Sequence, residues 1–126
     1  VSDIRILYIE DNPENRLLVR RVLEAEGYAV FEAIDGSSGF EAATDVDPDL
    51  VLLDISLPEV DGYDLAERFQ DMEEMNGVPV LAVTANVMKG DRERTLAAGC
   101  DGYIPKPIDI DRLPKQIKDA LHRAGR

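Results

Sequence analysis

Residues Leu50–Asp54 read LVLLD. The run is apolar until it stops at a carboxylate, as a strand buried on both faces does when its last residue emerges at the edge of a parallel sheet. Val80–Thr84, VLAVT, has the same character and stops at a hydroxyl. Working outward, Ile4–Ile9 (IRILYI), Ala29–Ala33 (AVFEA) and Gly102–Ile104 are further short β-rich runs, each followed by polar or turn residues.

Helical patterns separate these runs. Asn12 and Pro13 supply an N-cap and a first-turn proline for a helix with Leu18, Val22 and Ala25 on one stripe, ending near Gly27. Further helices are predicted over residues 36–44, 63–75, 88–98 and 111–123. In the last of these Pro114 is tolerable only in the first turn, where backbone N–H groups have no intrahelical partner. That favours Asp111 over Asp109 as its cap, with Leu113, Ile117 and Ala120 or Leu121 as the buried stripe. Five β/α units imply an α/β domain: a five-stranded parallel sheet with helices on both faces, because parallel neighbours require right-handed crossovers.

Composition sets the limits. A chain of 126 residues with 44% hydrophobic content makes one domain, residues 1–126, with a real core. The net charge of −12, from 14 basic and 26 acidic residues, repels phosphate backbones and anionic lipid head groups, so no direct nucleic-acid or membrane partner is expected. A single cysteine, Cys100, and the lack of a long apolar span or signal-peptide layout make a cytoplasmic setting the expectation. Cys100 reads as packing, and His122 as an exposed residue near the end of the last helix. The chain therefore offers no phosphohistidine of its own.

In open parallel α/β sheets, sites lie beyond the carboxyl ends of the strands. The polar residues there are Glu10, Asp11, Asp54 and Thr84, with Lys106 just past the fifth strand in YIPKPID, Tyr103–Asp109. Crowded carboxylates repel one another, and a hard divalent cation with oxygen ligands relieves the repulsion; Mg²⁺ suits this because it keeps waters and bridges carboxylates to phosphate oxygens. With a lysine and a hydroxyl added, the set can hold a phosphoryl group, with Asp54 as nucleophile. Each residue alone reads more simply: Glu10 and Asp11 as a solvated strand end, Asp54 as a turn residue, Thr84 as a β-branched strand terminus, Lys106 as a loop lysine. Their joint placement at strand ends reverses that reading. A glycine-rich phosphate cradle, clustered Cys/His ligands and a GxSxG turn are all lacking from the sequence.

The segments ILYIEDNP, LLDISLPEVDGYDL, AVTANVMKGD and GYIPKPID, in this order, make the chain resemble the response-regulator receiver domains of two-component signalling along essentially its whole length. The wording EDNPEN, TANVMKGD and GCDGYIPKPI is most similar to receivers attached to hybrid sensor kinases and to stand-alone regulators of that type. The resemblance implies a flavodoxin-like (βα)5 fold with strand order 2-1-3-4-5 and a cleft between the first and third strands. It implies that Asp54 accepts phosphate from a histidine kinase or histidine phosphotransfer protein. Asp11, Asp54 and the backbone carbonyl of Ser56 would bind Mg²⁺, with Glu10 acting through water, since this chain has Glu-Asp where many relatives carry Asp-Asp. Thr84 and Lys106 are assigned to the phosphate, Thr84 and Tyr103 to the switch, and Ser56, Ala85 and Asn86 to positions that tune phosphate lifetime. A cis bond between Lys106 and Pro107 is also implied; X–Pro bonds favour trans by only about 0.5–1 kcal/mol.

The reading is thus a phosphorylation-activated switch whose output is contact with a downstream protein through the fourth helix, fifth strand and fifth helix. It would catalyse only its own phosphoryl transfer and dephosphorylation. The alternative is a Mg²⁺-dependent phosphohydrolase with an aspartyl-phosphate intermediate, but the second aspartate such enzymes carry two residues after the nucleophile is Ser56 here. A constitutive docking module of receiver shape would not need the whole site.

Overall fold

A computed structural model of the chain describes residues 4–55, 62–85 and 89–126. Five strands, β1 (Arg5–Ile9), β2 (Ala29–Ala33), β3 (Leu50–Asp54), β4 (Val80–Thr84) and β5 (Gly102–Pro105), alternate with α1 (Pro13–Ala25), α2 (Gly36–Val46), α3 (Gly62–Asp71), α4 (Lys89–Ala97) and α5 (Leu113–Arg123). All pairings are parallel and the strand order is β2-β1-β3-β4-β5. This is the flavodoxin-like arrangement that the family resemblance implied.

Strand alternation divides the core in two. Leu7, Ile9, Val51 and Leu53 face α2 and α3 with Leu65, Ala66 and Phe69, while Ile6, Tyr8, Leu50 and Leu52 face α1 and α5 with Val19, Leu23, Leu113 and Ile117. Every residue of β3 and β4 is buried, because both faces are covered. On the first face α2 approaches β1 so closely that a Cβ added at Gly39 would sit 2.6 Å from Ile9 Cδ1. Among the described residues no helix is long and apolar enough to cross a membrane.

Asn12 caps α1, its side chain accepting from the N–H groups of Glu14 at 2.8 Å and Asn15 at 3.1 Å, with Pro13 in the first turn. The buried stripe of α1 is Val19 and Leu23, one step round the helix from the Leu18, Val22 and Ala25 expected; Leu18 is 43% exposed. Five apolar residues at these positions cover more arc than one sheet face can bury, so docking decides which edge goes inside. The cap expected at Asp111 is also corrected. The chain forms a turn first, in which Asp109 Oδ1 accepts from the Asp111 N–H at 3.0 Å and the Asp109 carbonyl from Leu113 N–H at 3.0 Å, and α5 starts after Arg112 without a side-chain cap. Pro114 still falls in its first turn and Leu113, Ile117, Ala120 and Leu121 are buried, as expected. The helix predicted over 63–75 divides into α3 and a 3₁₀ turn at Glu73–Met75, and Met88 lies outside the described residues.

The turns that lead from helices into strands share one device, a residue of positive φ: Gly27 (92°), Asp47 (54°), Gly77 (78°) and Gly99 (90°). At the opposite rim the register aligns the strand ends. Ile9 pairs with Leu53, Asp54 with Val83, and Thr84 with Pro105, so residues that follow the apolar runs emerge side by side.

Candidate active site

Glu10 and Asp11 follow β1, and Asp54 ends β3, its neighbour in the sheet. Glu10 and Asp54 are buried and Asp11 is exposed; one carboxylate oxygen from each lies within 4.8 Å of the other two. Lys106 reaches into this cluster from beyond β5. Its Nζ lies 2.8 Å from Asp54 Oδ2 and 3.6 Å from Glu10 Oε1. The backbone is anchored there by the Lys106 N–H, which donates to the Thr84 carbonyl at 2.8 Å and continues the β4–β5 ladder. The Lys106–Pro107 bond is cis, as the resemblance implied.

Thr84, buried at the end of β4, completes the row. Tyr103 does not share the pocket. It pairs with Ala82, two residues back from Thr84 along the sheet, and packs half-buried against the core on the α2–α3 face. At about 3.3 Å per residue that places it on the order of 7 Å behind the strand ends. Ala85 is exposed, whereas Ser56 and Asn86 lie outside the described residues. Cys100 is buried, and burial pushes its thiol up to about 12, with the Asp101 charge adding to the rise; His122 is exposed. Neither meets the cluster.

Two contacts to Glu10 were not legible in the sequence. Asn15 Nδ2 donates to Glu10 Oε1 at 2.7 Å, and Arg16 NH1 donates to the Glu10 backbone carbonyl at 2.8 Å. The available signal was a side-chain amide three residues after the cap, on the turn that must pass over the end of β1. The other oxygen of Glu10, Oε2, is buried without a hydrogen-bond partner among the described residues, and so is the Tyr8 hydroxyl. Burial, then the charges of Glu10 and Asp54, hold the Tyr8 phenol far above its ordinary value, so it stays protonated.

This acidic row, at the carboxyl ends of a sheet ordered 2-1-3-4-5, coincides with a family match: residues 6–118 match the response regulator receiver domain. The chain belongs to that family. Receiver domains are phosphorylation-activated switches of two-component signalling. The polar-differentiation response regulator DivK of Brucella ovis is 42% identical over 116 residues, covering 92% of this chain and 94% of that protein. A receiver domain protein from Methanospirillum hungatei JF-1 superposes with a TM-score of 0.89 at 30% identity, covering 98% of each chain. The receiver domain of a sensor histidine kinase from Pseudomonas aeruginosa PAO1, solved with a magnesium ion coordinated in its active-site cleft, gives a TM-score of 0.81 at 32% identity over 96% of this chain and 99% of that one. The donors in this receiver fit such an ion: all are oxygens, two of the three carboxylates are buried, and Glu10 Oε2 is an orphaned acceptor.

Glu10 carries the main pH consequence. Burial, followed by the close Asp54 carboxylate, raises its carboxyl from 4.5 to about 7, against the pull of Asn15 and Lys106. A carboxyl raised in the fold binds its proton more tightly there than in the unfolded chain, so its stabilising contribution is complete below about pH 4.5 and is lost as pH rises through about 7. Without divalent cation, this receiver is therefore expected to lose on the order of 2 kcal/mol between pH 5 and 8 from this group. Glu10→Gln should remove most of that slope. Urea denaturation of both proteins across this range checks the point; parallel curves would contradict it.

Proposed function

We propose that this receiver, as one domain over residues 1–126, accepts a phosphoryl group on Asp54 from a phosphohistidine of a partner kinase or phosphotransfer protein. It then changes the surface formed by α4, β5 and α5 toward a downstream protein. The carrying observation is the buried Asp54 carboxylate, held 2.8 Å from Lys106 Nζ inside a cluster of three carboxylates at the strand ends.

An Asp54 oxygen attacks phosphorus opposite the departing imidazole. The P–O bond forms as the P–N bond breaks, and the ring nitrogen keeps the electron pair and takes up a proton. Negative charge gathers on the equatorial oxygens, so the protein's work is positioning and compensation. Lys106 stands at the oxygen pair where that charge arrives. Burial works against its ammonium, but the hydrogen bond and charge of Asp54, with Glu10 behind, hold it above its ordinary value and keep it cationic. A lysine–phosphate pair about 4 Å apart is worth roughly 4 kcal/mol gross per unit charge at an effective dielectric of 20. Asp11, Asp54 and the Ser56 carbonyl would hold Mg²⁺ directly and Glu10 through water, supplying further positive charge at the phosphoryl oxygens. The Thr84 hydroxyl turns toward the phosphate, and Tyr103 follows into the space behind it.

In this reading the protein is a cytoplasmic switch and not a turnover enzyme. Among the described residues of the site, nothing favours the phosphohydrolase alternative. With Mg²⁺ and a small acyl-phosphate donor, intact mass spectrometry should show one added phosphate per chain, and a phosphomonoester should not be turned over repeatedly. Sustained release of phosphate from a phosphomonoester would overturn the switch reading.

A further inference from the structure

The first turn of α1 holds Glu10 at two points. Arg16 fixes its backbone through the 2.8 Å bond to the carbonyl, and Arg16 Nε is itself 3.7 Å from Glu32 Oε1 on β2. Asn15 fixes the side chain through the 2.7 Å bond to Oε1. The helix does not need this amide for its own start, because Asn12 already accepts from the first free N–H groups. A side chain at this position commonly reaches back to the cap backbone; Asn15 instead crosses to the strand end.

We propose that Asn15 is a positioning residue for the acidic site: it anchors Glu10 Oε1 and leaves Oε2 to serve the divalent cation. The inference rests on the cation-dependent phosphorylation proposed above. Its chemistry favours an amide at this place. An amide donates to a carboxylate without carrying charge, so it orients Glu10 while leaving undiminished the negative charge that faces the ion. A lysine or arginine would compete with the cation, and an acid would repel Glu10.

Asn15 also shares its target with Lys106, whose Nζ is 3.6 Å from the same Oε1. When Lys106 is drawn to a phosphoryl group, Asn15 is the donor that stays. Glu10 then keeps its orientation in both states of the switch, and the backbone clamp from Arg16 confines any loosening caused by loss of Asn15 to the carboxylate itself.

The test is a Mg²⁺ titration of the unphosphorylated protein, followed by amide NMR, in wild type, Asn15→Leu, Glu10→Gln and the double variant. Outer-shell partners of metal ligands typically contribute 10–100-fold in affinity, and Asn15→Leu is expected at about the lower end, roughly tenfold weaker. In the Glu10→Gln background, which retains Asp11 and Asp54 for the ion, the same substitution should change nothing further. Asn15→Ala, the better helix former, should match Asn15→Leu and guards against a folding defect. Wild-type affinity in Asn15→Leu, or an equal loss in both backgrounds, would overturn the proposal. Failure of the wild type to bind Mg²⁺ would instead overturn the reading of the cluster as a cation site.

Discussion

Asp54→Asn should take up no phosphate from an acyl-phosphate donor under conditions in which the wild type gains one phosphate per chain. The loss is expected to be complete because, of the three clustered carboxylates, Asp54 is the buried one in direct contact with Lys106 Nζ, at 2.8 Å, whereas Glu10 lies 3.6 Å from that nitrogen with the same oxygen taken by Asn15, and Asp11 is exposed. An amide has nearly the shape of the carboxylate but lacks its nucleophilic charge, so the fold and most of the pocket should persist. Asp11→Ala should retain the nucleophile yet label far more slowly, through loss of a cation ligand. Intact mass after fixed times separates the two behaviours. Undiminished labelling of Asp54→Asn would place the phosphate elsewhere and sink the assignment.

Lys106→Ala is expected to have the largest effect on both the resting fold and the response. In the resting molecule Lys106 is the cation between the buried carboxylates of Asp54 and Glu10. Breaking such a set by removing one partner leaves charge buried and unbalanced, at a cost of about 3 kcal/mol near pH 8. The deficit should shrink toward pH 6, because Glu10, already raised to about 7, takes up a proton and relieves the repulsion. It should also shrink with added Mg²⁺. Phosphorylation of Asp54 should persist in part, since nucleophile and acidic ligands remain, while the phosphate-dependent amide shifts around Tyr103 should largely vanish. Urea denaturation at both pH values, with NMR spectra before and after phosphorylation, tests both halves. A wild-type response with wild-type stability would reduce Lys106 to an ordinary loop lysine.

The fold was legible because its signals are local and repeated. LVLLD and VLAVT are uniformly apolar, and the structure buries each residue of both strands; Asn12, Pro13 and Gly27 punctuate α1 where the sequence placed them. What escaped depends on three-dimensional choice. The stripe of α1 falls on Val19 and Leu23 because the helix offers more apolar arc than the sheet covers. The start of α5 slips past Asp111 because Asp109 closes a turn first. Within the site, Glu10, Asp11, Asp54 and Lys106 could be chosen as strand-end residues, since the sheet rule needs no coordinates. Asn15 and Arg16 could not, because their roles arise only when α1 folds back over the end of β1.

The left-handed residues at 27, 47, 77 and 99 all make helix-to-strand turns, and the described strand-to-helix connections contain none. The two rims of the sheet therefore answer to different selection. On one, a substitution is judged by stereochemistry, since a side chain there must tolerate a backbone that most residues avoid. On the described part of the other, no residue takes a left-handed backbone, and apart from the cis Lys106–Pro107 bond it is charge and hydrogen bonding that decide the choice. A partner-specific receiver can thus be retuned along its chemical rim while the turns that hold its strands in register stay as they are.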